Sequence, residues 1–360
     1  MMFSLRLSIV LACLLAAALA AAPARATVPR GFIGMVSEDT LAGDASYRAD
    51  QLSDMQDLGV TLLRQTFDWG RIEQRPGRFD FSYLDSFVGD AARHGIRVMP
   101  VLFGEPPFYS RRPAGNKAHG TYAPRGPASF ARFARAAVKR YGPRGSYWDS
   151  HPTVLRRPIR VWQIWNEPNL KVYWLPRPSA ASYVNLLKAT ARSIRKLDPG
   201  AEVVTAGIPQ SEHGVGLRTY VGAMLRAGAG PYFDSLAVNA YATTGAGVVN
   251  FLRGMRRYLD VHGAPMTSLR ATEMGWSDAG PPSAFASTPQ GQAARIKSAI
   301  LGMAKARVAL KLLGFVYYNW RDSPPYNGGK DFWGLHTGLQ TQAGVNKPAF
   351  AAFAHAVEGL

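Results

Sequence analysis

The chain has 360 residues, 47% of them hydrophobic, enough for a large core in one big α/β domain or two smaller ones. Its one cysteine, Cys13, lies near the N-terminus, which excludes a disulfide framework, cysteine-based metal sites and a cysteine nucleophile from the rest of the chain. The formal net charge is +18, spread in pairs such as Arg111-Arg112, Arg156-Arg157 and Arg256-Arg257 rather than gathered in a block. That scatter, with no basic helix or base-stacking motif, argues against nucleic acid and leaves an anionic polymer or cell surface as the partner that charge alone suggests.

The first element is a segment to set aside. Residues 1–26 carry Arg6, then an apolar stretch, then the small-x-small end Ala24-Arg25-Ala26. This pattern predicts a cleavable secretory signal, a mature chain of 27–360 beginning near Thr27 with charge +16, and a secreted, extracellular or envelope-associated location. An uncleaved anchor is the alternative, but the run falls short of the roughly 20 residues a stable membrane span needs.

Eight strand-like runs follow: Gly31–Ser37, Val60–Trp69, Ile96–Gly104, Arg160–Pro168, Glu202–Pro209, Ser235–Tyr241, Ser268–Trp276 and Gly314–Trp320. Most are apolar almost throughout instead of alternating, as a parallel sheet covered on both faces requires. Between them lie amphipathic stretches such as "YRADQLSDMQDLG", "SYLDSFVGDAARHG" and "SYVNLLKATARSIRKLDPG", several closed by a glycine. Eight strand-then-helix units predict a single-domain (β/α)8 barrel. Two long irregular stretches, Gly104–Pro127 and Arg321–Gly338, follow the third and eighth strands and should shape the barrel mouth.

In such a barrel the chemistry sits at the C-terminal strand ends. The fourth strand ends in Asn166-Glu167, the seventh in Glu273, the sixth in Tyr241 and the eighth in Trp320, while the second carries Arg64. Two carboxylates on opposite strands, beside tryptophans, suit glycoside hydrolysis, in which one group protonates the leaving oxygen and the other meets the developing oxocarbenium charge. Trp276 and Trp320 are expected as platforms for the apolar face of a sugar, whereas Trp162 reads as core. Glu105 is a third carboxylate near the mouth, expected to contact substrate or cap its loop. The seven histidines show no metal-ligand spacing, and no GxSxG, P-loop or GxGxxG follows a strand, so no metal and no cofactor is expected.

These motifs resemble those of clan A glycoside hydrolases, especially families 39 and 5. "IWNEPN" is similar to the fourth-strand motif, "TEMGWS" to the seventh-strand motif, "LLRQTFDW" to the second strand and "DWGRIEQRPGRFDFSYLD" to the stretch after it. The resemblance runs from about Gly31 to Leu360 with the motifs in family order. It implies a retaining O-glycosyl hydrolase acting by double displacement, with Glu167 as general acid/base and Glu273 as nucleophile. Arg64 and Tyr241 would then hydrogen-bond Glu273, and Asn166 would bind the sugar 2-hydroxyl. One departure is Asn239, where many relatives place His two residues before the sixth-strand Tyr. The expected partner is a poly- or oligosaccharide and the expected state a monomer. A transglycosylase, a non-catalytic polysaccharide-binding barrel and a structural envelope protein are the other readings.

Overall fold

The computed structural model describes residues 28–117, 119–325 and 329–360. The expected signal segment, 1–26, and the cleavage point near Thr27 lie outside the described residues. Eight parallel strands close into a barrel: β1 (Ile33–Val36), β2 (Leu62–Asp68), β3 (Arg97–Phe103), β4 (Val161–Ile164), β5 (Glu202–Val204, resuming at Ile208–Pro209), β6 (Ser235–Asn239), β7 (Ser268–Met274) and β8 (Leu312–Tyr317). Each pairs with its successor, and β8 pairs back with β1 in the register Ile33↔Phe315, which closes the ring.

Among the described residues, eight long helices form the outer layer: α1 (Ala45–Asp57), α2 (Ser82–Arg93), α3 (Pro127–Tyr141), α4 (Ala180–Leu197), α5 (Leu217–Arg226), α6 (Gly245–Val261), α7 (Pro289–Leu310) and α8 (Pro348–Glu358). Their starts are written locally. Asp44, Ser179, Thr244 and Thr288 accept hydrogen bonds from amides in the first turns of α1, α4, α6 and α7. Proline, which has no amide hydrogen to lose there, opens α3, α7 and α8.

The alternation of side chains along each strand divides the core in two. Val36, Leu62, Met99, Val204, Ala237 and Val316 point inward and fill the barrel. Outward residues such as Phe67, Trp162 and Phe315 pack under the helices in a far larger cluster. At the opposite end of the barrel from the mouth, Arg270 clamps Glu202 at 2.6 and 2.7 Å, with Ser235 donating to the same carboxylate.

Every expected strand is present, most of them trimmed at their ends, while the eighth starts two residues early at Leu312 and stops at Tyr317. The largest trims fall where the chain leaves the sheet to build the mouth. β4 stops at Ile164 because Trp165 turns into the left-handed region at φ 73°, and β5 breaks between Val204 and Ile208. Trp69, expected in the second strand, instead opens a short helix, Trp69–Ile72, whose first turn Asp68 caps.

Candidate active site

The C-terminal strand ends surround a cleft of about 590 Å³ that holds Arg64, Asn166, Glu167, Tyr241 and Glu273 together. A groove of comparable size, about 520 Å³, lies between α6 and α7 on the outside and contains none of these residues. The carboxylates, not the volume, identify the cleft as the candidate site.

Glu167 stands just past the end of β4 in a strained backbone. Trp165 at φ 73° and Glu167 at φ 46° both occupy the left-handed region, which costs a non-glycine residue on the order of 1 kcal/mol or more. The surroundings hold that turn in place. The Trp165 amide donates to Leu102 O at 2.9 Å, the Glu167 amide to Gly207 O at 3.0 Å, and Gln163 Nε2 to Trp165 O at 3.1 Å. The result is a carboxylate only 9% exposed, aimed into the cleft. Burial first, and then the negative charge of Glu273, push its pKa up to about 8, against the opposing hydrogen bond from Asn239 and the charge of Arg64.

Glu273 lies on β7, adjacent to Asn239 in the sheet register. Both of its oxygens are held. Arg64 Nη1 lies 2.9 Å from Oε1, and the Tyr241 hydroxyl donates to Oε2 at 2.9 Å. All three Arg64 guanidinium nitrogens are engaged, because Nε also donates to Gln163 Oε1 and Nη2 to Asn166 Oδ1, each at 2.8 Å. Burial and the charge of Glu273 raise the Tyr241 phenol well above its ordinary value, so it stays a donor. Because Asn166 accepts from Arg64 through its carbonyl, its amide nitrogen is left to donate.

Beneath Glu167 the break in β5 has a purpose. A Cβ on Gly207 would collide with Asn239 Oδ1 and reach 2.7 Å from Thr272 Oγ1. Glycine at 207 thus makes room for a relay in which Thr272 Oγ1 donates to Asn239 Oδ1 at 2.9 Å and Asn239 Nδ2 donates to Glu167 Oε1 at 2.6 Å.

The two tryptophans expected as sugar platforms are corrected by the structure. Trp276 and Trp320 are fully buried and absent from the cleft wall. Trp276 Nε1 donates to Ala242 O at 2.6 Å. Because β8 ends at Tyr317, Trp320 lies beyond the strand, where it packs on Phe350 and donates to Gln51 of α1. Trp165, also near the expected mouth, is buried among Phe103, Phe130 and Trp174. The aromatic wall comes instead from Phe103, Tyr173, Tyr318, Phe332 and Trp333. Trp333 packs against Tyr241 at 5.3 Å and Phe285 at 4.8 Å.

Two carboxylates complete the picture. Glu105 is not part of the cleft wall. Its Oε1 accepts from Ser110 Oγ and the Tyr122 amide, tying down the loop after β3, and burial pushes its pKa up to about 7. Glu38, which sequence reasoning missed, does line the cleft at the end of β1. Gln65 Nε2 donates to its Oε2 at 2.6 Å and Thr66 Oγ1 to its Oε1 at 3.1 Å. Its side chain remains exposed to the cleft. The strand-end rule that found Glu167 would have found Glu38 too, since it follows β1 by two residues. Among the described residues no cluster of His, Cys, Asp and Glu could hold a metal ion, and no helix is long and apolar enough to cross a membrane.

No protein-family model and no curated protein matches the chain. Solved structures do. A family 39 glycoside hydrolase from Bacteroides cellulosilyticus WH2 matches with a TM-score of 0.67 and 17% identity, over 92% of this chain and 65% of that one. The GH39 enzyme from Xanthomonas axonopodis pv. citri matches with a TM-score of 0.68 and 19% identity, over 92% of this chain and 67% of that one. A GH39 β-xylosidase from Caulobacter crescentus matches with a TM-score of 0.65 and 20% identity, over 92% and 72%. The chain therefore spans about two thirds of the length of these structures. Its (β/α)8 barrel has the fold of these clan A glycoside hydrolases and resembles family 39 in particular.

Proposed function

We propose that the chain is an exported retaining glycoside hydrolase acting on the O-glycosidic bonds of a poly- or oligosaccharide. The observation that carries this reading is the unequal treatment of two carboxylates in one cleft. Glu167 is pushed up to about 8, so it keeps its proton at neutral pH, while Glu273 has both oxygens held by Arg64 and Tyr241. One group is thus an acid and the other is fixed in place, which is the division of labour that double displacement needs.

In the first step a Glu273 oxygen forms a bond to the anomeric carbon as the glycosidic C–O bond breaks. The proton of Glu167 passes to the departing oxygen. In the second step Glu167, now a carboxylate, takes a proton from water. The water oxygen bonds to the anomeric carbon, the ester to Glu273 breaks, and both side chains return to their starting states. Two inversions give net retention. Asn166, with its carbonyl fixed by Arg64, offers an N–H to the sugar 2-hydroxyl. Trp333, Phe332 and Tyr318 offer apolar faces to the ring. The similarity in fold to enzymes described as family 39 glycoside hydrolases and as a β-xylosidase supports the reaction class. The Arg6-to-Ala26 pattern supports export of the mature chain.

The test is to incubate purified protein with a panel of aryl glycosides and oligosaccharides and to follow the first-formed anomer by NMR. Release of sugar with retained configuration is expected. Inversion would overturn double displacement, and no release from any member would overturn the hydrolase reading.

A further inference from the structure

The chain is strongly basic, yet its cleft is not. Arg64 is the one cation among the described residues lining it, and each of its three nitrogens already has a partner, Glu273, Gln163 or Asn166. Facing the same space are three carboxylates, Glu38, Glu167 and Glu273. Basic side chains such as Arg253, Arg257 and Lys305 line the outer groove between α6 and α7 instead.

Glu38 is the carboxylate for which double displacement has no use. Gln65 Nε2 and the Thr66 hydroxyl orient it, so two donors from β2 act on a group with about four lone-pair positions. What remains faces the cleft and can only accept. A sugar hydroxyl is a donor and satisfies it. A uronic acid carboxylate is not, and it would meet the like charge of Glu38 and Glu273, with Arg64, already paired to Glu273, the one cation among the described lining residues.

Resting on the glycosidase reading, we propose that Glu38 is a specificity-determining residue. It accepts a hydrogen bond from a hydroxyl at the 3- or 4-position, remote from the 2-hydroxyl that Asn166 faces, and so selects a neutral sugar over a uronic acid at the reaction centre. The overall positive charge then has no part in binding the sugar that reacts.

The experiment compares the wild-type protein with Glu38→Gln and Glu38→Ala on neutral aryl glycosides, their 3- and 4-deoxy analogues and the matching aryl uronides. Binding is read by calorimetry and turnover by kcat/KM. The wild-type protein should prefer the neutral glycoside over the uronide by at least about tenfold. Glu38→Ala should lose about tenfold or more on the hydroxylated substrate, through KM more than kcat, and nothing further on one of the deoxy analogues. That loss of coupling between one residue and one hydroxyl is something a merely structural role would not produce. Glu38→Gln, which keeps an acceptor oxygen and removes the charge, should retain part of the binding and relax the rejection of the uronide. A wild-type preference for the uronide, or equal losses on every analogue, would overturn the proposal while leaving hydrolysis intact. Selective binding of neutral sugars without turnover would leave the role of Glu38 standing and remove the hydrolase reading.

Discussion

Asn239 Nδ2 donates to Glu167 Oε1 across 2.6 Å, while Asn239 Oδ1 accepts from Thr272 Oγ1 at 2.9 Å. The second bond fixes the amide orientation and so makes the first a donor contact whatever the proton on Glu167 is doing. A neutral amide cannot titrate, so the acid/base residue keeps this partner through both steps of the cycle. Asn239→Ala should lower kcat/KM about tenfold or more on substrates with poor leaving groups and far less on activated aryl glycosides. Because the Asn239 bond holds the Glu167 pKa down, its loss should also move the alkaline limb of the pH profile upward. An alkaline limb unmoved by the substitution would remove Asn239 from this role.

The raised pKa of Glu167 predicts a pH dependence in both rate and stability. The acid is protonated below about 8, so kcat/KM should hold through neutral pH and fall above that value. For stability the sign follows from proton counts. Between the ordinary value of 4.5 and about 8 the folded state binds the proton that the unfolded chain has released, so wild-type stability falls as pH rises through this window. At about 1.4 kcal/mol per unit the loss is on the order of a few kcal/mol. Glu167→Gln has no charge to bury, so its melting temperature should exceed that of the wild-type protein by a margin that grows from pH 4.5 to 8. A margin independent of pH would mean that Glu167 is not the group being desolvated.

Gly207 is required by the relay beneath it. Its backbone lies against Asn239 and Thr272, and a Cβ there would collide with Asn239 Oδ1. Gly207→Ala should destabilise the fold by about 1–3 kcal/mol, the usual range for overpacking a core, and lower activity by pushing Asn239 off Glu167. Denaturant unfolding and kcat/KM measured on the same variant check both. Full activity with unchanged stability would show that the relay tolerates a methyl group.

Much of this arrangement was legible in the sequence for a physical reason. Strands of a covered parallel barrel are apolar along nearly their whole length, so polar residues such as Glu167, Tyr241 and Glu273 stand out at or just past their ends, and Arg64 within β2. What was not legible depends on where a strand stops and how the next loop returns. Trp320 reads as a strand-end residue, but β8 releases the chain at Tyr317, leaving Tyr318 at the mouth and Trp320 behind it. Trp333 reaches the cleft from the middle of the last long loop, where no periodicity marks it. Glu38 was passed over because the first strand ends in no recognisable motif, although position alone would have flagged it.

The two tryptophans exchange roles in a testable way. Trp333 lines the cleft and is partly exposed, so Trp333→Ala should raise KM with little change in melting temperature. Trp320 is fully buried and bonded to Gln51, so Trp320→Ala should cost about 3–5 kcal/mol of stability, as removing a buried tryptophan does. If Trp320→Ala folds normally and loses sugar binding, the cleft wall has been misassigned.

The division of labour between Glu167 and Glu273 can be separated by stereochemistry. The nucleophile is needed for every substrate, so Glu273→Ala should abolish hydrolysis of all of them. Glu167→Ala removes proton donation, which matters little when the leaving group is a phenol of low pKa. That variant should still form the glycosyl-enzyme from an activated aryl glycoside and then stall, because no base activates water. Azide needs no base. Added to Glu167→Ala, it should attack the glycosyl-enzyme and give a glycosyl azide of retained configuration. In Glu273→Ala, azide could attack only from the space the carboxylate vacated and would give the inverted product. NMR of the two azides decides the matter. The opposite pattern would exchange the roles assigned to the two residues, and full activity in both variants would remove them from the chemistry altogether.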